Sequence, residues 1–442
     1  MSQFDESLER FVARTLGGQD SLQDLIRLTG GANMESWSFN HAGQGYVLRR
    51  SPSAAMMAGR VYGHDVEAAI VRAARAAGVR APEIVAEIDV SDCLGTGYLM
   101  KRVEAEVNPA RILSDPPAGL LPELARELAH IHAVPLQSLP EIPFPDAASL
   151  CADLRDRFLQ YGGDRPVMAL AFKWLEDHAP VAVEPVLLHG DFRMGNIMVG
   201  PDGLAAVLDW ELAHLGDRHQ DLAFGCINSW RFGHIDRPAF GVGALDVLWQ
   251  CYKQESGVDV DPGRFRYWLV YSTLWWGICC LQMAEIWRSG LDASLERAVI
   301  GRRASETEVD LLMLLEQDAP AAERASITIA PAADPRRQGE PSSVEMLEAL
   351  ASWIETDVKP KFQGRDKFMS AVAINAIGML TREAQSPGFV HDRKLADELM
   401  TGRQSLDTPG LLAELKRQAI EKLATDQPRY SALAKATHLW TI

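Results

Sequence analysis

The residues with chemical potential concentrate in the stretch VLLHGDFRMGNIMVGPDGLAAVLDWE, from Val186 to Glu211. Asp191 is followed five residues later by Asn196, and Asp209 opens an Asp-Trp-Glu run that ends at Glu211. Two acids and an amide at strand ends suit phosphoryl transfer. One acid orients the substrate hydroxyl, while the amide oxygen and the second acid hold magnesium against nucleotide phosphates.

These side chains need a frame. The apolar run Val186–Leu188 stops at His189-Gly190. Two β-rich runs, Ile197–Val199 and Ala205–Leu208, are joined by Pro201-Asp202-Gly203 and predict a hairpin between Asn196 and Asp209. Upstream, breaker placement predicts three strands separated by turns at Thr29–Asn33 and His41–Gly45. The Gly30-Gly31 corner would let backbone amides approach phosphate oxygens; a tight turn with no ligand is the plainer alternative. A helix is predicted over His64–Ala77, with Val66, Ala69, Ile70, Ala73 and Ala77 on one face and Glu67 in its first turn. Arg49 and Glu67 have the order and spacing of the kinase pair that orients nucleotide phosphates. Two unrelated surface charges is the competing reading. Strands over Ile84–Asp89 and Tyr98–Val103 follow, and the chain then crosses into a long helical half. At such a crossing the backbone of Met100, Arg102 and Val103 would form a hinge against the adenine edge.

In combination, these motifs resemble the aminoglycoside-phosphotransferase-like kinase superfamily. The resemblance rests on His189-Gly190-Asp191 with Asn196, Asp209-x-Glu211, Leu215-Gly216-Asp217, Asp221-Leu222-Ala223, the Gly30-Gly31-x-Asn33 turn and Leu48-Arg49. Within it, Leu48-Arg49-Arg50-x-Pro52 and Tyr252–Gly257 are similar to the branch of the kinase-like part of acyl-CoA dehydrogenase 10/11-type proteins. It implies a bilobal protein-kinase-like α+β fold over residues 20–317, using ATP or GTP with Mg2+. Asp191 would orient the acceptor hydroxyl; Asn196 and Asp209 would bind the metal, with Glu211 supporting it. Arg49, paired with Glu67, would contact phosphates, helped by the Gly30, Gly31 and Asn33 turn. His189 is expected to brace the catalytic loop, and Asp217 and Asp221 to bond loop amides. Arginine at position 49, where many members carry lysine, forks onto phosphates instead of presenting a point charge. No G-x-G-x-x-G, H-R-D, D-F-G or A-P-E element occurs at the places expected of a protein kinase.

Composition narrows the remaining classes. At 442 residues, 47% apolar and 24% charged, two or three soluble domains are expected. The net charge of -16 argues against nucleic-acid binding. Its excess lies before residue 343, since residues 343–442 carry 13 acids and 13 bases. Six cysteines without C-x-x-C spacing read as buried thiols, and the chain is expected to be soluble and cytoplasmic. Tyr267–Met283 is a little short for a membrane span and reads as a core helix. His130 and His132 face different sides of their helix and predict no metal site.

Four segments are expected: an N-lobe over 1–103, a C-lobe over 104–317, an Ala/Pro-rich linker over 318–342, and an all-α accessory domain of four helices over 343–442. That last domain reads as a docking or homo-oligomerisation element. Trp230, Trp249, Trp268, Trp275, Trp276 and Trp287 are expected mainly in the core, with some walling the acceptor pocket. Eight acids against seven bases between Arg231 and Ile300 suit a neutral or anionic hydroxylated small molecule better than a polycation. The resemblance adds a hydroxyacyl-CoA as candidate acceptor. The alternatives are an aminoglycoside or amino-alcohol O-kinase, and a catalytically silent nucleotide-binding scaffold.

Overall fold

A computed structural model describes residues 3–17, 21–28, 34–53, 57, 60–292, 294–329, 343–386 and 391–441. The predicted Gly30, Gly31 and Asn33 turn lies outside the described residues.

The N-lobe begins with α1 (Gln3–Leu16), whose Leu8, Phe11 and Val12 are buried. Strands β1 (Gln23–Arg27), β2 (Glu35–His41) and β3 (Gln44–Ser51) follow. Ala42 and Gly43 both have positive φ, the two-residue hairpin geometry whose twist matches its strands. After α2 (His64–Ala76) come β4 (Ile84–Glu87) and β5 (Thr96–Lys101), giving one antiparallel sheet in the order β1-β2-β3-β5-β4. Register places Arg49 opposite Tyr98. Phe39, Tyr46, Leu48, Leu94 and Leu99 pack on α1 as a small separate core.

The C-lobe is mainly helical: α3 (Pro109–Ser114), α4 (Leu120–His132), α5 (Ala147–Gln160) and α6 (Pro166–Asp177) lead to the site. There β6 (Val186–Leu188) pairs with β9 (His214–Gly216), and β7 (Ile197–Gly200) with β8 (Gly203–Val207). The expected hairpin between Asn196 and Asp209 is present. Then come α7 (Arg218–Phe224), α8 (Leu245–Ser256), α9 (Pro262–Arg288), α10 (Leu295–Arg302) and α11 (Ala304–Leu315). Asp261 caps α9 by accepting from the Arg264 amide, and Pro262 starts the helix where no N–H is missed. From Tyr267 to Leu281 α9 is buried almost all round, so its apolarity reflects a protein core. No helix among the described residues is long and apolar enough to cross a membrane.

The C-terminal region departs from the expected separate module. Among the described residues it holds five α-helices, α12 (Ser343–Trp353), α13 (Gly364–Ala384), α14 (Arg393–Met400), α15 (Leu411–Asp426) and α16 (Ser431–Trp440). The last was not predicted: it is short and follows Pro428 closely. Leu399, Leu412, Leu415, Ile420, Leu423 and Trp440 are buried in one continuous core with the C-lobe. The apolar stripes of α14–α16 are thus spent within the chain, which removes them from docking elsewhere. The expected linker is also partly folded. Asp318 accepts from the Trp174 indole and pairs with Arg266, and Ile327 is buried and bridges to Thr441.

Candidate active site

The candidate catalytic loop runs from β6 to β7 and is held from below. Asp221 on α7 is fully buried and accepts from the amides of His189 (2.7 Å) and Gly190 (2.9 Å). Burial pushes its carboxyl up, but His132, 3.5 Å away, and those amides bring it below the usual range. His132 in turn meets the Tyr252 hydroxyl at 2.8 Å. Asp217 caps α7 and accepts from the Arg264 guanidinium and the Trp268 indole. Asp221 thus bonds loop amides as expected from sequence, whereas Asp217 instead ties the start of α7 to α9.

His189 is buried and neutral. Its Nδ1 accepts from the Asp191 amide at 3.2 Å, so Nε2 carries the proton and donates to the Leu208 carbonyl at 3.0 Å. Burial lowers its pKa, consistent with that assignment. The ring therefore ties the loop carrying Asp191 to the strand end carrying Asp209. The Leu208 amide donates to the Asn196 carbonyl at 2.7 Å and makes a second tie.

Asp191 lies at the centre. Its Oδ1 accepts from Arg193 Nε at 2.7 Å and its Oδ2 from Asn196 Nδ2 at 2.6 Å. Burial pushes its carboxyl up to about 6, with Asp209 adding to the rise and Arg193 and Asn196 opposing it. Because the Asn196 NH2 is committed to Asp191, its amide oxygen remains as the outward donor. Asp209 sits at φ 67°, in the left-handed region that side chains rarely adopt. Strain of this kind is common where a ligand carboxylate is aimed.

Across the cleft the pairing differs from the expected Arg49–Glu67 bridge. The two are joined only at 3.8 Å, through Arg49 Nε. The Arg49 terminal nitrogen instead bonds Asp209 and lies 3.5 Å from Glu211. Glu67, with no exposed surface, is bonded by Arg60 at 2.7 Å and by the Tyr98 hydroxyl at 2.8 Å. Arg60 also reaches Glu211 at 3.4 Å. Glu67 is thus shared by three groups, of which sequence identified one. Burial raises Asp209, but Arg49 more than offsets this and leaves it below normal; burial and Asp209 push Glu211 up to about 7. Oxygen donors from Asn196, Asp209 and Glu211, with a cation already drawn to Asp209, form a set that fits Mg2+.

At the hinge, the Lys101 amide donates to Glu83 and the Arg102 amide to Gly45, both at 2.9 Å. The Arg102 side chain bonds Ser38, Asn40 and Glu104. These residues close the sheet onto the crossing, and Met100 pairs with Val47 inside it. A cavity of about 450 Å3 touches Glu83, Lys101 and Val103 but not Glu67, Asp191, Asp209 or Glu211.

Arg193 lies in the same loop, two residues after Asp191, and its guanidinium sits 4.3 Å over the Trp230 ring. Trp230 packs on Trp276 at 4.6 Å. Near them on α9 is Cys279, 3.6 Å from Arg157. Burial, with Asp191 contributing, pushes its thiol up to about 11. Trp249, Trp268 and Trp275 are packed in the C-lobe, whereas Trp287 is exposed.

Residues 24–253 match the phosphotransferase enzyme family. The chain belongs to that family. Acyl-CoA dehydrogenase family member 10 of Mus musculus is 28% identical over 287 residues, covering 59% of this chain and 26% of that protein. Acyl-CoA dehydrogenase family member 11 of Gallus gallus is 30% identical over 240 residues, covering 50% and 30%. The chain thus spans less than a third of the length of either relative. A Ralstonia eutropha crystal structure provisionally assigned as an aminoglycoside phosphotransferase superposes with TM-score 0.57 at 21% identity, covering 71% of this chain and 98% of that one. The bilobal fold is therefore that of the small-molecule phosphotransferases, and residues 254–441 add α9–α16 beyond the matched family region.

Proposed function

We propose that this phosphotransferase moves the γ-phosphate of ATP or GTP, with Mg2+, to a hydroxyl of a small neutral or anionic molecule, with a hydroxyacyl-CoA as the favoured acceptor. The observation that carries the reaction class is the Asp191–Asn196–Asp209 set, locked together through His189 and the Leu208–Asn196 bond. Asp191 orients the acceptor hydroxyl and takes its proton as the bond to phosphorus forms. Asn196 and Asp209, supported by Glu211, hold the metal, which neutralises phosphate charge when bound. Arg49 exchanges Asp209 for nucleotide phosphate, and the Gly30, Gly31 and Asn33 turn with the Val103 backbone completes the nucleotide site.

The acceptor class rests on chemistry around Asp191. Arg193, Trp230, Trp276 and Arg157 present cationic and aromatic groups, a poor cradle for a polycation and a suitable one for an anionic, partly apolar molecule. The relatives' names supply the acyl-CoA context.

The test is coupled nucleotide turnover with hydroxyacyl-CoA thioesters, aminoglycosides and amino alcohols, on wild type and Asp191→Ala. Turnover is expected with a thioester and lost in the variant. If nucleotide binds but no acceptor gives turnover above the variant, the chain is a nucleotide-binding scaffold.

A further inference from the structure

The family match ends at residue 253, yet the C-terminal helices reach the catalytic loop through one short turn, Asn228–Arg231. Tyr430, the residue before α16, donates its hydroxyl to Asp310 on α11 at 2.6 Å and lies 3.3 Å from the Ser229 hydroxyl. Asn228 donates to the other Asp310 oxygen at 3.1 Å and accepts from Ser431 at 3.3 Å. Two consecutive residues of the turn are thus bonded to the tail or to the acid the tail holds. The next residue is Trp230. Its ring carries Arg193, and its neighbour Trp276 is covered by Arg303 at 5.4 Å. Arg193 then bonds Asp191.

We propose that Tyr430 and Trp230 are positioning residues for Asp191: the tail holds the 228–231 turn in place, the Trp230 face fixes the Arg193 guanidinium, and Arg193 sets the rotation of the Asp191 carboxylate. The proposal rests on the reading of Asp191 as the group that orients the acceptor. An arginine side chain has many rotamers, and a carboxylate turns easily about its last bond. A flat aromatic face removes that freedom for the guanidinium, since a cation–π contact favours a position over the ring. Geometry of this kind matters because a 1 Å misplacement at a reacting centre costs about a hundredfold in rate. An apolar contact would bind the tail equally well but would not direct the turn. The tail region is, on this reading, a working part of the phosphotransferase.

The experiment uses the full chain with Tyr430→Phe, Trp230→Leu, Trp230→Phe and, as a control, Lys422→Met, which removes a tail contact to Glu308 away from the turn. Readouts are kcat with the acceptor found above, ADP affinity by calorimetry, and amide hydrogen exchange of peptides covering 190–196. Tyr430→Phe and Trp230→Leu should lower kcat roughly five- to fiftyfold, leave ADP affinity within about twofold, and speed exchange at 190–196. Trp230→Phe should recover most of the loss, and Lys422→Met should behave as wild type. Exchange changes confined to peptides near 430, or ADP affinity falling in step with kcat, would overturn the proposal. If wild type turns over no acceptor, the exchange measurement still decides the positioning role, while the phosphotransfer reading fails separately.

Discussion

The guanidinium of Arg49, on the third strand of the N-lobe, bonds the carboxylate of Asp209 in the C-lobe, 160 residues further along the chain. One carboxylate is therefore matched by a tethered cation where a metal is expected. On the function proposed above, arginine and metal compete for it, and nucleotide phosphate relieves the competition by taking the arginine. Arg49→Ala should bind Mg2+ alone more tightly than wild type and bind nucleotide roughly ten- to a hundredfold more weakly, as expected for loss of a charge-assisted hydrogen bond. Calorimetric titration of each ligand separately checks both halves. Unchanged Mg2+ affinity in the variant contradicts the competition.

Asp191 makes activity depend on pH in one direction and stability in the other. Its carboxyl is pushed up to about 6, and in the role proposed above the ionised form accepts the hydroxyl proton, so kcat should fall about tenfold per unit below pH 6 and level off above it. The folded value exceeds the unfolded one. The folded chain therefore holds this proton longer, and stability from this group declines as pH rises from about 4 through 6. Asp191→Asn should be inactive yet more stable by roughly 1 to 3 kcal/mol at pH 8, with little gain at pH 4. Melting curves at the two pH values test this.

A second buried acid ties pH to the tail. Burial pushes Asp310 up to about 7, and its donors Tyr430 and Asn228 only partly oppose that. Stability from this carboxyl is present below the ordinary carboxyl range and is lost as pH climbs through 7. Asp310→Asn keeps the shape and removes the charge. Its Tm should match wild type near pH 4 and exceed it at pH 8, by the equivalent of up to about 4 kcal/mol. Parallel Tm–pH curves for the two proteins would count against it.

Gly190 has φ 79°, and a Cβ there would stand 2.2 Å from the Leu212 carbonyl oxygen. Backbone strain and clash act together, and neither atom belongs to a flexible side chain. Gly190→Ala should lower stability by at least about 2 kcal/mol and displace Asp191, so kcat falls more than nucleotide affinity. Denaturant melts and steady-state kinetics separate the two effects.

The grouping of the candidate site residues was legible because it is local. Asp191, Asn196 and Asp209 lie on one loop and the hairpin that follows it, so spacing and β-propensity position them together. The pairing across the cleft was not, because two arginines and a tyrosine compete around Glu67, Asp209 and Glu211. Arg60 sits in an aperiodic loop, with nothing in its surroundings to distinguish it from any surface arginine. Only packing shows it 2.7 Å from Glu67. The N-lobe strands were readable from turns and alternation. The tail's helices were readable too, but periodicity does not say what a stripe will face. That is how α14–α16 looked like a separate module while forming part of the C-lobe core.

The pairing of Ile327 with Thr441 brings the entrance and exit of the tail side by side, with Ile327 donating its amide to the Trp440 carbonyl. The excursion is stitched shut at its base by non-covalent contacts. Peptide bonds across 330–342 are then not what keeps α14–α16 on the C-lobe. Residues 1–329 and 343–442 produced together as two polypeptides should therefore migrate as one species under native conditions and part only in denaturant, the second chain keeping its seat through non-covalent contacts alone.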